Sequence, residues 1–351
     1  MSKLLQLQDQ VRSAVSDAEP LRIVGGNSKE NLGRELVGTP INLGAFAGVV
    51  DYQPTELMIT VRAGTTLSDL RAVLAEENQM LASESREYDG KATIGGTLAC
   101  NQSGPSRPWR GSIRDHVLGV RLINGKAEHL RFGGQVMKNV AGYDVSRLQA
   151  GAMGTLGLVT EVSLKVVPRP DASISIRRPI DASGSIKAMN EICSTPIPLT
   201  GACWYDGNMY IRLSGAYETI KSLAMRLDGE ILTNCSEFWT QLRDQSLPFF
   251  DTTSELWRFS IRPNSSHMMP NGDWLIDWCG AQRWLAGKYD LDEMESSSKR
   301  FGGEVSRHQA VDRKAEVFPS ISEAKKMFLT RIKNSFDPAG VFNPGRLYSW
   351  M

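Results

Sequence analysis

The sequences Val-Gly-Gly-Asn-Ser at residues 24–28 and Ala-Thr-Ile-Gly-Gly-Thr-Leu-Ala at residues 92–99 decide the fold class of this chain. They lie about seventy residues apart, and the first follows the apolar stretch 21–24. Glycine has no Cβ, so its backbone adopts positive φ readily and its N–H groups can approach an anion closely. Such stretches can surround a phosphate with amides. Taken alone, the first stretch more often marks only an ordinary turn.

Other nucleotide-binding motifs are missing from the sequence. No Gly-x-Gly-x-x-Gly opens a βαβ unit, because the glycines at 151, 154 and 157 are spaced Gly-x-x-Gly-x-x-Gly. No Gly-x-x-x-x-Gly-Lys-Ser/Thr occurs either, since Gly90-Lys91 continues into Ala92 without a glycine five residues earlier. The sequence therefore disfavours a Rossmann dehydrogenase and a P-loop kinase.

The composition is typical of a soluble globular protein. Its 351 residues are 41% hydrophobic and 23% charged, which allows two domains with a large core. The 40 basic and 39 acidic residues nearly cancel, so nucleic acid is not an expected partner. Polar side chains interrupt residues 1–9 too early for a signal peptide, and no apolar run is long enough to predict a membrane span. We therefore expect a cytoplasmic protein.

The spacing of cysteine and histidine argues against several metal sites. The five cysteines, at 100, 193, 203, 235 and 279, contain no Cys-x-x-Cys pair, which disfavours a zinc ribbon, an iron–sulfur cluster and a disulfide framework. The four histidines show neither His-x-His nor His-Glu-x-x-His spacing. We expect reduced, mostly buried cysteines and no metal.

Apolar periodicity predicts a helix and then several strands at the start of the chain. Thr66, with Asp69 three residues later, predicts the start of a second helix that ends near Asn78. Strands are predicted at 21–24, 41–43, 49–50 and 57–61. The first helix is predicted from the repeat of Leu4, Leu7, Val11 and Val15.

The next part of the chain predicts a hairpin and a domain boundary. Strand-like stretches at 117–123 and 127–132 flank Asn124-Gly125, which indicates a hairpin with a two-residue turn. A further strand is predicted at 158–166. The prolines at 168 and 170 follow it, and there we place the first boundary.

The last half of the chain is rich in tryptophan. Seven of the eight tryptophans fall at or after Trp204, which indicates either core packing or a surface that docks a partner chain. Ser320-Ile321-Ser322-Glu323 forms a predicted capping box for a final helix that ends at Asp337-Pro338. That helix bears Ala324, Phe328 and Ile332.

Four stretches in order, at 24–28, 92–104, 138–160 and 336–345, resemble one known family. The third contains Lys-Asn-Val-Ala-Gly-Tyr-Asp-Val and Gly-Ala-Met-Gly-Thr-Leu-Gly-Leu-Val-Thr, and the fourth reads Phe-Asp-Pro-Ala-Gly-Val-Phe-Asn-Pro-Gly. Their order and spacing resemble the FAD-linked oxidases of the vanillyl-alcohol oxidase and p-cresol methylhydroxylase (PCMH) type. The resemblance covers nearly the whole chain and is weakest in the middle.

This resemblance implies an α+β protein with a two-subdomain PCMH-type FAD-binding domain at 1–169. A short α+β cap is expected at 170–318, and a C-terminal helix and tail at 319–351 return to the FAD domain. The resemblance also implies which residues hold FAD. They are Gly25, Gly26, Asn27 and Ser28 in the first loop, Gly95, Gly96, Thr97 and Ala99 in the second, and Gly142, Val159 and Asn343 elsewhere.

Two departures from the family pattern concern the flavin and the substrate. Members that tether FAD covalently often carry a histidine where this chain has Asn27, so the resemblance implies non-covalent FAD. Relatives that oxidise 2-hydroxy acids place a Glu-His over the flavin, whereas residues 302–308 have Arg307 before His308. By resemblance, His308 takes the hydroxyl proton and Arg307 holds the substrate carboxylate. The two residues are equally compatible with an exposed turn.

Within the family, the chain is similar to short FAD-binding subunits of bacterial complexes that oxidise glycolate. That similarity implies a small 2-hydroxy-acid substrate, a longer FAD-binding subunit and an iron–sulfur subunit that passes electrons toward quinone. It places the complex in the cytoplasm, at the inner face of the membrane. The tryptophan-rich region is the predicted partner surface.

Two other functions remain open from the sequence. One is a flavin-binding subunit that relays electrons or acts as a scaffold while its longer partner performs the chemistry; the short cap and Arg307 favour it. The other is an NADPH-dependent reductase of the same fold, which the lack of a nicotinamide motif disfavours.

Overall fold

The computed structural model describes residues 2–134, 143–232, 234–252, 255–267, 272–310 and 312–351. The chain divides into two compact units. Unit 1 consists of Met1–Gln102, Ser112–Pro168 and Asp312–Met351, and unit 2 consists of Ser103–Gly111 and Arg169–Val311. Among the described residues, none of the helices has both the length and the apolar character needed to cross a membrane.

Helices and strands are numbered in chain order. The helices are α1 (Lys3–Ser16), α2 (Leu67–Glu76), α3 (Ile94–Cys100), α4 (Arg107–Arg110), α5 (Ile113–His116), α6 (Val145–Leu148), α7 (Ala182–Cys193), α8 (Tyr217–Ala224), α9 (Ser236–Asp244), α10 (Leu291–Arg300) and α11 (Glu323–Phe336). The strands are β1 (Leu21–Val24), β2 (Thr39–Asn42), β3 (Val49–Gln53), β4 (Met58–Arg62), β5 (Gln79–Leu81), β6 (Val117–Ile123), β7 (His129–Gly133), β8 (Leu158–Pro168), β9 (Ala172–Pro179), β10 (Leu199–Tyr205), β11 (Asn208–Gly215), β12 (Glu230–Leu232), β13 (Leu256–Ser260), β14 (Asp273–Asp277), β15 (Gln282–Ala286) and β16 (Glu304–Gln309).

Unit 1 contains two sheets, each with its own core. Strands β1 and β2 pair in parallel, and α1 packs on them through buried Leu7 and Val11. The second sheet is antiparallel, in the order β3-β4-β8-β6-β7, with β5 paired to β8. The C-terminal segment joins the first sheet, because Leu21 N donates to Val341 O at 2.7 Å. The predicted helix from Thr66 and the strands near 21, 41, 49 and 58 are confirmed.

The predicted two-residue turn at Asn124-Gly125 is wrong. Ile123 pairs with His129, so five residues connect β6 to β7. The Asn124 side-chain oxygen accepts from the backbone N–H groups of Lys126 and Glu128, both at 3.0 Å, and so stabilises the wider loop. A Cβ on Gly125 would lie 2.7 Å from Asp337 Cα, so this glycine permits a close backbone approach rather than a tight turn.

The final helix begins two residues later than predicted. Ser322, not Ser320, is its N-cap, and its hydroxyl accepts from Lys325 N at 3.3 Å. Ala324 and Phe328 are exposed, whereas Ile332 packs against a core cluster. In its second half, Ile332 and Phe336 pack against a core cluster and buried Lys333 donates to Asp337 Oδ2 at 2.7 Å.

Unit 2 is an antiparallel sheet with helices, in the strand order β12-β9-β11-β10-β14-β15-β13-β16 among the described residues. Its tryptophans are mostly buried, including Trp239, Trp257 and Trp284 at 3%, 0% and 3% exposure. The predicted docking surface of tryptophans is therefore wrong, because these rings fill the core.

Cys193 and Cys279 form a disulfide, so the expectation of reduced cysteines is also wrong for this pair. Their separation of 86 positions leaves no local sequence signal.

Together the two units give the predicted α+β fold class. The functional division into an FAD domain and a cap stays a prediction.

Candidate FAD site

The two glycine loops of unit 1 lie against each other. A Cβ on Gly26 would lie 1.7 Å from the backbone oxygen of Lys91, and a Cβ on Gly25 would lie 2.5 Å from Thr93 Oγ1. A side chain at either position would therefore force the loops apart. The glycines that follow β1 are needed for this close approach, and they bring stretch 24–28 next to stretch 91–96.

The second loop enters helix α3 under a side-chain cap. Thr93 is the N-cap, and its Oγ1 accepts from Gly96 N at 3.3 Å. Gly95 packs on β4's end, since its N donates to Ala63 O at 2.9 Å and its Cβ would lie 2.8 Å from Ala63 Cβ. A Cβ on Gly96 would lie 3.7 Å from the Lys29 ammonium. Gly95 thus serves packing, whereas Gly96 leaves space beside a cation.

The other predicted residues of unit 1 surround these loops. Ala99 O at the end of α3 accepts from Met153 N at 2.9 Å, so the glycine-rich run 151–157 docks there. Val159 on β8 is half-buried, and its neighbour Thr160 accepts from Ala63 N at 2.7 Å. Ala63 is therefore hydrogen-bonded both to β8, the strand that carries Val159, and to Gly95.

Both polar atoms of the Asn343 side-chain amide are hydrogen-bonded to the backbone of unit 1. Its Oδ1 accepts from Ile23 N at 2.9 Å, and its Nδ2 donates to Met153 O at 2.7 Å. The side chain thus fixes β1 to the 151–157 run directly beside the first loop. A contact of Asn343 with FAD stays a prediction, and Gly142 lies outside the described residues.

These residues fit an FAD. Thr97 Oγ1 and Asn101 Oδ1 are buried and have no hydrogen-bond partner among the described residues. Buried polar atoms are rarely left unpaired, so a polar group of a ligand is expected there. The space beside Gly96 would be filled by any larger side chain. Unit 1 thus contains the glycine loops, the start of helix α3 and the two unpaired polar atoms together.

A cationic cluster, which the sequence did not predict, lies beside the loops. It consists of Lys29, Arg86 and Tyr88, with the Lys29 ammonium 4.7 Å and the Arg86 guanidinium 4.1 Å from the centre of the Tyr88 ring. The Tyr88 hydroxyl donates to Gln102 Oε1 at 2.5 Å. Burial lowers the pKa of Lys29 to about 8 and raises the pKa of Tyr88 to about 12. The only sequence signal was that Lys29 directly follows the first loop.

The predicted catalytic pair lies in unit 2, on β16. His308 Nε2 is 2.9 Å from Gln245 Oε1, and its ring meets the edge of Trp284 at 4.7 Å. The Arg307 guanidinium lies 5.2 Å from the Trp257 ring. Trp257 and Trp284 belong to different core clusters, so the structure places the two side chains on opposite faces of the sheet. They do not converge on one site within unit 2.

Comparison with known proteins defines the class. Residues 2–133 match the family described as "FAD binding domain". A solved alkyldihydroxyacetonephosphate synthase has a TM-score of 0.66 and 15% identity, and the match covers 97% of this chain and 74% of that one. At that identity the match establishes the fold alone. The protein is an FAD-binding oxidoreductase with the PCMH-type fold, as the four sequence stretches predicted.

The sequence relatives narrow the class. The glycolate oxidase subunit GlcE of Escherichia coli is 44% identical over 98% of this chain and 97% of its own length. The chain belongs to the GlcE family. The glycolate oxidase subunit GlcD of Bacillus subtilis is 34% identical over 38% of this chain and 29% of its own. The prediction that FAD is the cofactor is confirmed.

Proposed function

We propose that this chain is the FAD-binding subunit of a complex that oxidises glycolate or a similar small 2-hydroxy acid to the 2-oxo acid. The observation that carries the proposal is its near full-length similarity to GlcE. The assembled glycine loops of unit 1 support it, because they offer the close backbone approach that a dinucleotide needs. The partners in this proposal are a longer FAD-binding subunit and an iron–sulfur subunit, with electrons passing toward quinone. The complex is proposed to work in the cytoplasm, at the inner membrane face.

In this proposal, unit 1 supplies the cofactor site. FAD, when bound, provides the two-electron acceptor for the oxidation. Gly25, Gly26 and Ser28 offer amides and a hydroxyl, and Gly96 leaves the space beside them. Position 27 is an asparagine, so the histidine that tethers FAD covalently in some members is missing there. The Asn27 Nδ2 donates to Glu30 Oε2 at 3.2 Å. We therefore propose that the flavin is bound without a covalent bond.

The assignment of proton transfer is carried by one residue. His308 is the proposed base for the substrate hydroxyl, with Gln245 orienting its ring through Nε2. Arg307 was the proposed carboxylate ligand, but its guanidinium contacts the opposite face of the sheet. This separation supports the second candidate, a flavin-binding subunit that relays electrons or acts as a scaffold while the longer partner oxidises the substrate.

One experiment separates the two candidates. The purified chain with FAD, and the reassembled complex, are each mixed with glycolate without oxygen, and the flavin absorbance is followed. Bleaching by the lone chain supports catalysis in this subunit and excludes the relay function. If His308→Gln leaves both the rate and the extent of bleaching unchanged, the role of His308 is wrong. Arg307→Met, measured in the same assay, tests whether the face of the sheet opposite His308 contributes to bleaching.

A further inference from the structure

Lys29 lies where the two glycine loops meet. It follows the first loop directly, and its Nζ is 3.4 Å from Ser28 Oγ. From the second loop, the position that a Cβ would occupy on Gly96 is 3.7 Å from the same ammonium. One cation therefore borders both loops of the FAD site.

This ammonium has no carboxylate partner among the residues that the structure describes. The neighbouring Glu30 is paired elsewhere, with its Oε1 3.2 Å from Arg22 Nη1. The Tyr88 ring holds Lys29 on one side, but it also holds the Arg86 guanidinium, so two like charges share one ring. A desolvated ammonium is unfavourable unless an anion balances its charge.

We infer that Lys29 is the cation that binds the diphosphate of FAD. This inference deepens the FAD site and does not depend on which substrate the complex oxidises. It assigns the charge of Lys29 to the anionic part of the cofactor. The diphosphate is the fixed anionic group of FAD, and an ammonium is a suitable point charge for phosphate oxygens.

The direction of the pH effect follows from the groups around Lys29. Without FAD, burial lowers the pKa of Lys29 to about 8, the Cys100 thiol raises it and Arg86 lowers it further. The pKa of Cys100 is itself raised by burial, and the pKa of Tyr88 is about 12, so the Tyr88 hydroxyl stays protonated through the alkaline range. Burial lowers the pKa of Arg346, whose Nη2 donates to Lys29 O at 2.9 Å, to about 10, so this group begins to titrate only at the alkaline end of the range. A bound diphosphate raises the pKa of Lys29, because it stabilises the ammonium.

Binding of FAD therefore weakens as pH rises above about 8, by up to tenfold per pH unit until the pKa of the complex is reached. Below about pH 8 the affinity is independent of this residue's titration. Protonation of Lys29 and binding of FAD are thus thermodynamically linked.

The test measures the FAD dissociation constant from the fluorescence released when holoprotein is diluted, between about pH 7 and pH 9.5. Wild type should show a constant value up to about pH 8 and weaker binding above it. Lys29→Met should bind FAD about 10- to 100-fold more weakly at pH 7, since a charge-assisted hydrogen bond is lost, and should show no alkaline weakening. Lys29→Arg, which stays charged, should keep the affinity at pH 7 and lose the pH dependence.

Lys165→Met is the matched control, because Lys165 lies on β8 and its change should follow the wild-type curve. The inference is overturned if Lys29→Met binds FAD as tightly as wild type, or if Lys29→Arg keeps the alkaline weakening. A wild type that fails to bind FAD at every pH overturns the FAD assignment as a whole, whereas unchanged binding by Lys29→Met overturns the role of Lys29 alone.

Discussion

A buried arginine of unit 2 and a partly buried lysine of unit 1 differ in how completely the protein satisfies them. Arg283 is fully buried and donates to three backbone oxygens, to Gly280 O at 3.0 Å and to Ser265 O and Ser266 O at 2.6 Å each. Lys29 has a distant hydroxyl at 3.4 Å and the face of an aromatic ring. Burial lowers the pKa of both, to about 10 for Arg283 and about 8 for Lys29.

The difference indicates two kinds of buried charge. Arg283 completes its hydrogen bonds inside unit 2, so its charge holds the loop 263–266 to the sheet. Among the described residues, no carboxylate pairs with Lys29. A saturated cation stabilises the fold, whereas an unsaturated cation beside glycine loops is expected to bind a ligand.

The largest expected effect is on unit 2. Arg283→Met should lower the free energy of unfolding by about 3 kcal/mol or more, because three buried carbonyl oxygens each lose a charged donor. Urea unfolding followed by tryptophan fluorescence measures it, since the buried Trp257 and Trp284 lie in unit 2. Arg283→Lys, which keeps the charge but not the three-way geometry, should lose less. An Arg283→Met variant as stable as wild type would show that these hydrogen bonds do not stabilise the fold.

The second effect should have the opposite sign. In the FAD-free chain, Lys29→Met should raise the stability at pH 7 by up to about 3 kcal/mol, because the folded protein no longer holds a poorly solvated charge. The pKa of Lys29 is below its ordinary value of 10.5, so the penalty is fully present below about pH 8 and disappears as pH rises toward 10.5. Thermal unfolding of wild type and Lys29→Met, at pH 7 and at about pH 10, measures how far their difference in stability decreases. Lower stability of Lys29→Met at pH 7 would contradict the contrast with Arg283.

The smallest effect concerns the space beside Lys29. Gly96→Ala should weaken FAD binding by about tenfold, because the added Cβ enters the space 3.7 Å from the Lys29 ammonium. Stability without FAD should change little, since alanine is favoured over glycine within a helix but its Cβ would lie 3.3 Å from Thr93 Oγ1. Flavin fluorescence and thermal unfolding give the two values. Equal loss of stability and of affinity would indicate that Gly96 serves packing only, as Gly95 does.

Local sequence signals predicted much of unit 1. Thr66 caps α2 as expected, since a hydroxyl three residues before Asp69 can satisfy a free N–H at the helix start. The glycines at 25 and 26 were expected to let the backbone approach an anion closely; in the structure they permit the close approach of Lys91 O, and their contact with an anion stays a prediction. These features depend on residues near one another in the chain, or on the absence of a side chain.

Features that depend on distant contacts were missed. The sequence does not show that Phe328 of α11 is exposed whereas Ile332 and Phe336 pack against a core cluster. The tryptophans indicated either a core or a surface, and only the packed sheet of unit 2 decides between them. The Lys29–Arg86–Tyr88 cluster joins positions almost sixty residues apart, and no sequence pattern states that a lysine is desolvated.

The central claim is that the loops at 25–28 and 95–97 hold FAD without a covalent bond. The most direct measurement is the absorption spectrum of the purified chain, followed by that of its supernatant after precipitation with trichloroacetic acid. We expect a yellow protein whose flavin appears entirely in the supernatant. Flavin that remains in the pellet, or a folded chain that stays colourless after FAD is added, would contradict the claim.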